Sequence, residues 1–205
     1  DLSQNTVVCF LSDHGGLKRT SDNRPLRGAK GNAYEGGLRV PFVVRWPKEI
    51  KPGAVLNHPV ASLDIGATAL ALAGGDVQQA GLHGSDITPY MTGQSADAPH
   101  AVLYWHTGSG PKDISGVLRE GDYKLLAQRG RVQLFNIKED PTESTDLAEA
   151  QPKRAERMLA EWKTWNEKSQ PPLWDGNRVK QTKNDYQYAD YEWLKGTPHY
   201  RAEDK

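Results

Sequence analysis

Residues 6–16 read Thr-Val-Val-Cys-Phe-Leu-Ser-Asp-His-Gly-Gly. Residues 7–11 are unbroken apolar chain that runs straight into polar turn residues. Such a run predicts a strand covered on both faces, as in the parallel sheet of an α/β protein. The strand delivers a carboxylate and an imidazole, Asp13 and His14, to a turn loosened by Gly15 and Gly16. In open α/β sheets, ligands gather outside the carboxyl ends of the strands. Adjacent residues on a sharp turn converge on one point, whereas neighbours within a strand point to opposite faces. A carboxylate oxygen and an imidazole nitrogen meeting in this way suit a divalent cation. The plainer reading is that Asp13 caps the turn and His14 is an ordinary loop residue. Cys9, inside the strand, is expected to be a core residue.

The next stretch, residues 15–39, is polar, glycine-rich and too long for an ordinary connection, and loops of that length are usually functional or disordered. Lys18, Arg19, Arg24, Arg27 and Lys30 crowd into it, with Asp22 the only acid before Glu35. In a chain whose 26 basic and 26 acidic residues cancel, that is a local positive field. Gly28 and Gly31 flank Lys30 and would let backbone approach a ligand. A lysine ammonium is a compact point charge suited to one oxygen of a tetrahedral oxyanion. A solvated basic loop with glycines for its turns is the competing reading.

Farther along, "VPFVVRWP" reads as a second buried strand closed by Pro47, and "PKEIKPGAV" as a turn with Pro52 and Gly53 at its tip. Residues 62–75 predict a helix with Asp64 as N-cap and Gly74 and Gly75 at its end. The Gly/Pro/Ser-rich stretch "GLHGSDITPYMTGQSADAPH" marks a domain boundary. "AVLYWH", "SGVLREGDYKLLAQ" and "RVQLFNI" predict a small antiparallel sheet. A helix over 152–168 follows, with Ala155, Met158, Leu159, Trp162 and Trp165 on one apolar face that packs on that sheet. The tail holds Trp174, Tyr186, Tyr188, Tyr191, Trp193 and Tyr200, which suggests a strap laid over the body. The expected units are 1–97, 98–168 and 169–205.

The zero formal charge favours neither nucleic acid nor an anionic membrane. No apolar run approaches the roughly 18 to 20 residues of a membrane span. One cysteine excludes an internal disulfide framework and a cysteine-based zinc site. The start, without Met or a signal-peptide pattern, reads as a piece cut from a longer protein.

"SDHGG" followed by "PLRGAKGNAYEGGLRVPFVVRWP" resembles the second half of a formylglycine-dependent sulfatase of the alkaline-phosphatase superfamily. Later segments agree in order: "SLDIGATALALAG", "GLHGSDITPYMTG", and the stretch from "VLREGDYKLL" to "AEWKTW". The resemblance implies an α/β fold, the C-terminal part of an alkaline-phosphatase-like sheet domain followed by a small antiparallel-sheet-plus-helix subdomain. It implies hydrolysis of sulfate monoesters, on a sulfated small molecule or glycan. Asp13 matches the family's aspartate ligand of the active-site calcium. His14 holds the next ligand position, commonly Asn and in some members His; an imidazole there leaves manganese or zinc open. Lys30 matches the lysine that contacts the sulfate oxygens and stabilises charge on the transferred group. A periplasmic, secreted or lysosomal location is implied as well.

The family's nucleophile, a formylglycine made from the first residue of a Cys/Ser-x-Pro-x-Arg motif, has no counterpart here, and neither does its N-terminal Asp-Asp pair. Two ligands cannot hold a calcium ion that takes six to eight oxygens. The fragment alone is therefore expected to be inactive, with the N-terminal half of the same protein as its partner. His106, after an apolar strand, would bind substrate or donate to the leaving group, or is a loop histidine without a role. His83 reads as structural. Arg39 is expected to pair with a carboxylate under the lysine loop, Glu35 to orient Lys30 or cap a turn, and Asp146 to cap the turn before the last helix. Two other functions compete: a metal-dependent phosphoryl or phosphonate ester hydrolase of the same superfamily, and a non-catalytic sugar-binding pseudoenzyme.

Overall fold

The computed structural model describes residues 2–107, 116–128 and 130–169; the aromatic strap expected in the tail lies outside them from residue 170 on. In chain order the elements are β1 (Val8–Leu11), α1 (Glu35–Leu38), β2 (Phe42–Arg45), α2 (Leu63–Leu72), α3 (Thr88–Met91), β3 (Val102–His106), β4 (Gly116–Glu120), β5 (Tyr123–Gln128), β6 (Arg131–Asn136) and α4 (Pro152–Asn166). Their described residues fall into two compact units, one made of residues up to 13 with 40–101, the other of 14–39 with those from 102 onward. The lysine loop thus belongs with the C-terminal sheet. No helix among the described residues is long and apolar enough to cross a membrane.

In the first unit, β1 pairs antiparallel with β2, Phe10 opposite Val43 and Cys9 opposite Val44. The parallel, doubly covered strand expected from the apolar run is not what forms. Val8, Phe10 and Val43 share one face and are 48, 65 and 57% exposed. Cys9, expected in the core, is exposed on the other face. β-Branched and aromatic residues still favour the extended backbone, but a covering layer must come from elsewhere in a protein, and the described residues supply none to this face. Helix α2 forms where expected and stops before Gly74, whose φ of 82° is the left-handed turn that ends a helix.

Asp64 is not the cap of α2; Ser62 takes that position. The Asp64 carboxylate, fully buried, reaches back to accept the N–H of Ala61 at 2.7 Å and also accepts that of Ser85 at 2.8 Å. His100 Nε2 lies 2.9 Å from both of its oxygens. One first-turn carboxylate therefore fastens three separate stretches of chain, more than a cap would do.

In the second unit, β3-β4-β5-β6 is an antiparallel meander whose register aligns Leu118, Leu125 and Leu134 on one face and Val117 and Leu126 on the other. The first face is closed by α4 through Ala155, Met158 and Trp162, the positions the sequence period names. Trp162 is fully buried, and its indole N–H donates to the Trp105 carbonyl at 2.9 Å. Asp146 accepts the N–H groups of Ala148, at 3.0 Å, and Leu134, at 3.1 Å, so it caps its turn and pins that turn to β6.

The second face is closed by the lysine loop, with Ala33 and Tyr34 packed on Val117, Leu126 and Phe135. Three polar side chains of that face, Arg119, Lys124 and Gln133, reach into the loop. Tyr34 donates its hydroxyl to Gln133 at 2.8 Å. Lys124 is buried between two buried carboxylates, 2.9 Å from Glu35 and 2.8 Å from Glu143. The contact to Glu35 is a hydrogen bond; the one to Glu143 Oε1 is an ion pair without hydrogen-bond geometry. Glu143 Oε2 accepts the Glu35 N–H at 2.6 Å, and its own backbone holds a φ of 54°. Arg119 stands 3.8 Å from the other oxygen of Glu35. Arg39, expected in such a pair, is exposed and contributes its backbone N–H to the Glu35 carbonyl.

Burial pushes the Glu143 carboxyl up to about 7, against the opposing pull of the Lys124 ammonium. The unfolded chain releases this proton in the ordinary carboxylate range, while the folded chain holds it until about pH 7. Across that window the folded state binds more protons, so the group's contribution to stability is fullest at the acid end and falls as pH rises. Thermal melts at about pH 5, 6, 7 and 8 are expected to show the midpoint of Glu143→Gln declining less with pH than that of the unsubstituted chain. Parallel declines would refute the assignment.

Candidate active site

The turn after β1 and the loop that carries Lys30 are built as one backbone structure. Gly15 donates its N–H to the Gly37 carbonyl, and Lys30 donates its own to the Gly16 carbonyl, each at 3.0 Å. Asn23 clasps Gly16 from both sides, accepting its N–H at 2.9 Å and donating to its carbonyl at 3.0 Å. The glycines permit this because backbone lies directly on backbone. A Cβ on Gly15 would sit 1.8 Å from the Gly36 carbonyl oxygen, and one on Gly37 would sit 2.2 Å from that of Asn32. Gly15 lies against Gly36 and Gly37, whereas Gly36 and Gly37 in turn lie against the backbone of residues 27–28 and 29–32.

Lys30 occupies the corner of a turn over residues 29–32, closed by the Asn32 N–H donating to the Ala29 carbonyl at 2.9 Å. Gly31 has a φ of 87°, which a type II turn requires at its third position. The Asn32 side chain closes the turn again, accepting the Ala29 N–H at 3.0 Å. Ala29 is buried and Lys30 exposed, so a rigid backbone corner presents the ammonium to solvent. Of the other loop cations, Arg24 pairs with Asp22, and Arg27 stacks on Tyr34 and donates to the Glu143 carbonyl at 2.8 Å. The crowd of positive charge in the sequence divides into structural members and presented ones.

Asp13 is exposed at the end of the first unit's strand, and His14, half-buried, begins the second. His14 Nδ1 lies 2.7 Å from the Gly15 carbonyl. With Nδ1–H donating there, the lone pair is on Nε2, the nitrogen a cation would take. Among the described residues no group of three or more His, Cys, Asp or Glu side chains could hold a metal ion. A carboxylate oxygen and an imidazole nitrogen are donor types a divalent cation accepts, but two donors fall short of the six to eight ligands of calcium. His106 stacks on Trp162 with ring centroids 6.1 Å apart. It shares the α4 face of the sheet with Tyr104, opposite the face that carries the lysine loop.

Sequence reasoning missed Lys124, Glu143 and the Asp64–His100 pair. Lys124 could have been found: in "DYKLLAQ" it is followed by Leu125, Leu126 and Ala127, apolar on both faces of the strand, and a lysine there needs a buried partner. Glu143 carried no comparable signal.

A model of the sulfatase family matches residues 1–75, which include Asp13, His14 and Lys30. Mouse steryl-sulfatase is 35% identical over 129 residues, covering 53% of this chain and 21% of its own. A sulfatase of Formosa agariphila is 29% identical over 204 residues, covering 87% of this chain and 36% of its own. The crystal structure of Ps i-CgsB superposes with a TM-score of 0.75 at 31% identity, over 84% of this chain and 39% of that one. The same protein has been solved in complex with k-i-k-neocarrahexaose, at a TM-score of 0.73 and 32% identity over 84% of this chain and 39% of that one. The chain thus spans between about a fifth and two fifths of the relatives it matches.

The glycine contact predicts a contrast between two alanine substitutions. Gly15→Ala is expected to cost about 1–3 kcal/mol or more, since the backbone it would strike cannot move aside. Gly66→Ala, in α2 with nothing within 4 Å of the added Cβ, is expected to gain about 0.5–1 kcal/mol. Urea titrations of both variants check the pair, and equal effects would show that the close approach is absent.

Proposed function

We propose that this chain, which belongs to the sulfatase family of the alkaline-phosphatase superfamily, is the C-terminal part of an enzyme that hydrolyses sulfate monoesters, with a sulfated carbohydrate as the favoured substrate class. The observation that carries the reading is that one family match, residues 1–75, contains Asp13, His14 and the whole Lys30 loop. The carbohydrate preference is supported by the complex of Ps i-CgsB with k-i-k-neocarrahexaose.

In this reading Lys30 meets the sulfate oxygens. A sulfuryl group in flight concentrates negative charge on those oxygens, and an ammonium already fixed opposite them stabilises that charge without reorganising at the moment of reaction. The type II turn and the Gly16 carbonyl fix the backbone from which Lys30 extends. That lowers the entropy cost of placing the charge. Asp13 and the Nε2 of His14 supply two ligands to a cation, with calcium the favoured ion. Bound there, the cation would add a second positive centre for the ester oxygens, while the formylglycine, on sequence outside this chain, would supply the nucleophile. His106 is assigned to substrate only where a bound glycan extends past the lysine loop.

The partner is the N-terminal part of the same protein. The lengths of the relatives support this, and so does the sheet face of Val8, Phe10 and Val43, which lacks cover among the described residues. An apolar face of this kind is characteristic of a surface meant to be buried.

The experiment compares the full-length protein, this chain alone and full-length Lys30→Ala, each given calcium, on 4-nitrophenyl sulfate and 4-nitrophenyl phosphate. Hydrolysis is expected only from the full-length protein, with sulfate preferred. Lys30→Ala is expected to lower kcat by about 10²–10³-fold, the size of losing one fixed donor to a developing charge. Turnover by this chain alone, or preference for phosphate, would overturn the reading.

A further inference from the structure

We propose that the buried cluster of Glu35, Lys124 and Glu143 is the anchor that positions Lys30, so that Lys124 and Glu143, remote in sequence from every site motif, are positioning residues for the sulfate-ester reaction. The inference rests on the functional reading of Lys30 given above. Lys124 comes from the middle of the C-terminal sheet and Glu143 from the segment after β6, whereas Glu35 opens the short helix at the base of the lysine loop.

A continuous set of contacts leads from the cluster to the lysine. Glu143 takes the Glu35 N–H through its side chain and the Arg27 guanidinium through its backbone carbonyl, at 2.6 and 2.8 Å. Arg27 in turn accepts the Gly36 N–H at 2.6 Å. The two ends of the loop, residues 27 and 35–36, are therefore drawn together on one buried residue, Glu143, which holds Glu35 by its side chain and Arg27 by its backbone carbonyl. Between them lie the turn 29–32, with Lys30 at its corner, and Ala33 and Tyr34, which pack on the sheet. The loop's opposite side rests on Gly15 and Gly16 through the Gly37 and Lys30 bonds.

No uncharged arrangement of these residues would do the same. Lys124 meets two carboxylates at once, and in a buried setting an ammonium left without them, or they without it, is strongly penalised. The cluster therefore has one favourable arrangement, and the loop inherits it. A loop held by apolar contacts alone could shift by a fraction of an ångström at little cost. Burial raises the Glu143 carboxyl, with the Lys124 ammonium opposing the rise and the Glu35 charge adding to it, consistent with two acids sharing one lysine.

The test is a double-mutant cycle in the full-length protein: Lys30→Ala, Lys124→Met and their combination, assayed on 4-nitrophenyl sulfate. Backbone amide exchange is followed at Lys30, Gly36 and Gly37 and across β3–β6 in the same proteins. Lys124→Met is expected to lower kcat about 100-fold, the scale of an ångström-sized misplacement. Its loop amides should exchange faster while the sheet amides stay protected, and it should cost nothing further once Lys30 is alanine. Effects that multiply in the double variant would overturn the proposal, as would exchange that quickens equally in sheet and loop. Should Lys124→Met fail to fold, Glu143→Asn takes its place; asparagine tolerates the left-handed backbone but is too short to hold both contacts. The same non-additivity with Lys30→Ala is then required. If the unsubstituted protein cleaves no sulfate ester, the functional reading fails, and exchange alone decides the anchor: selective opening of the loop sustains it and uniform opening removes it.

Discussion

A single ammonium buried between two carboxylates joins the two halves of the second unit. Taking Lys124, Glu35 and Glu143 out of water costs several kcal/mol per ion, and their mutual attraction recovers that cost only in good geometry. Such a cluster contributes little net stability and a great deal of specificity, because displaced arrangements leave a charge unpaired. It requires the loop to lie on the sheet in one register. The aromatic contact of Tyr34 with Phe135, ring centroids 6.2 Å apart, and the Tyr34–Gln133 hydrogen bond then fill the surrounding space.

The sheet is consequently asked to do two different things with its two faces. Toward α4 it presents leucines, and the packing of Leu118, Leu125 and Leu134 on Met158 and Trp162 supplies ordinary hydrophobic stability. Toward the loop it presents Val117, Leu126 and Phe135 around Arg119, Lys124 and Gln133. The polar residues of that face position the loop, and the apolar ones exclude the water that would weaken them. Alternation along β5, with Lys124 and Leu126 on one side and Leu125 on the other, lets one strand serve both purposes.

Much of this was legible in the chain itself. The period of Ala155, Met158, Leu159 and Trp162 named the buried face of α4 because helix geometry alone sets which side chains share a face. Turn glycines and alternating strands delimited β3–β6 in the same local way. The fold class, and the family implied by the residues from Ser12 to Pro47, were legible for the same reason, since short-range patterns and contiguous motifs carry them. The parallel, doubly covered β1 was misread. An apolar run reports that a strand will be covered, but not by which chain, and among the described residues β1 pairs antiparallel with β2 and its Phe10 face is uncovered.

What only the tertiary structure decided is which charged residues are structural and which are presented. Arg24, Arg27 and Lys30 look alike in sequence, and Arg39 is expected to find a carboxylate as readily as any of them. Their fates diverge because partners come from residues as much as 116 positions away, as Glu143 does for Arg27. Local patterns determine backbone conformation and facing, since those depend on neighbours a few residues apart. A buried charge depends on its opposite arriving from another element, and only the assembled sheet and loop bring Lys124 between Glu35 and Glu143.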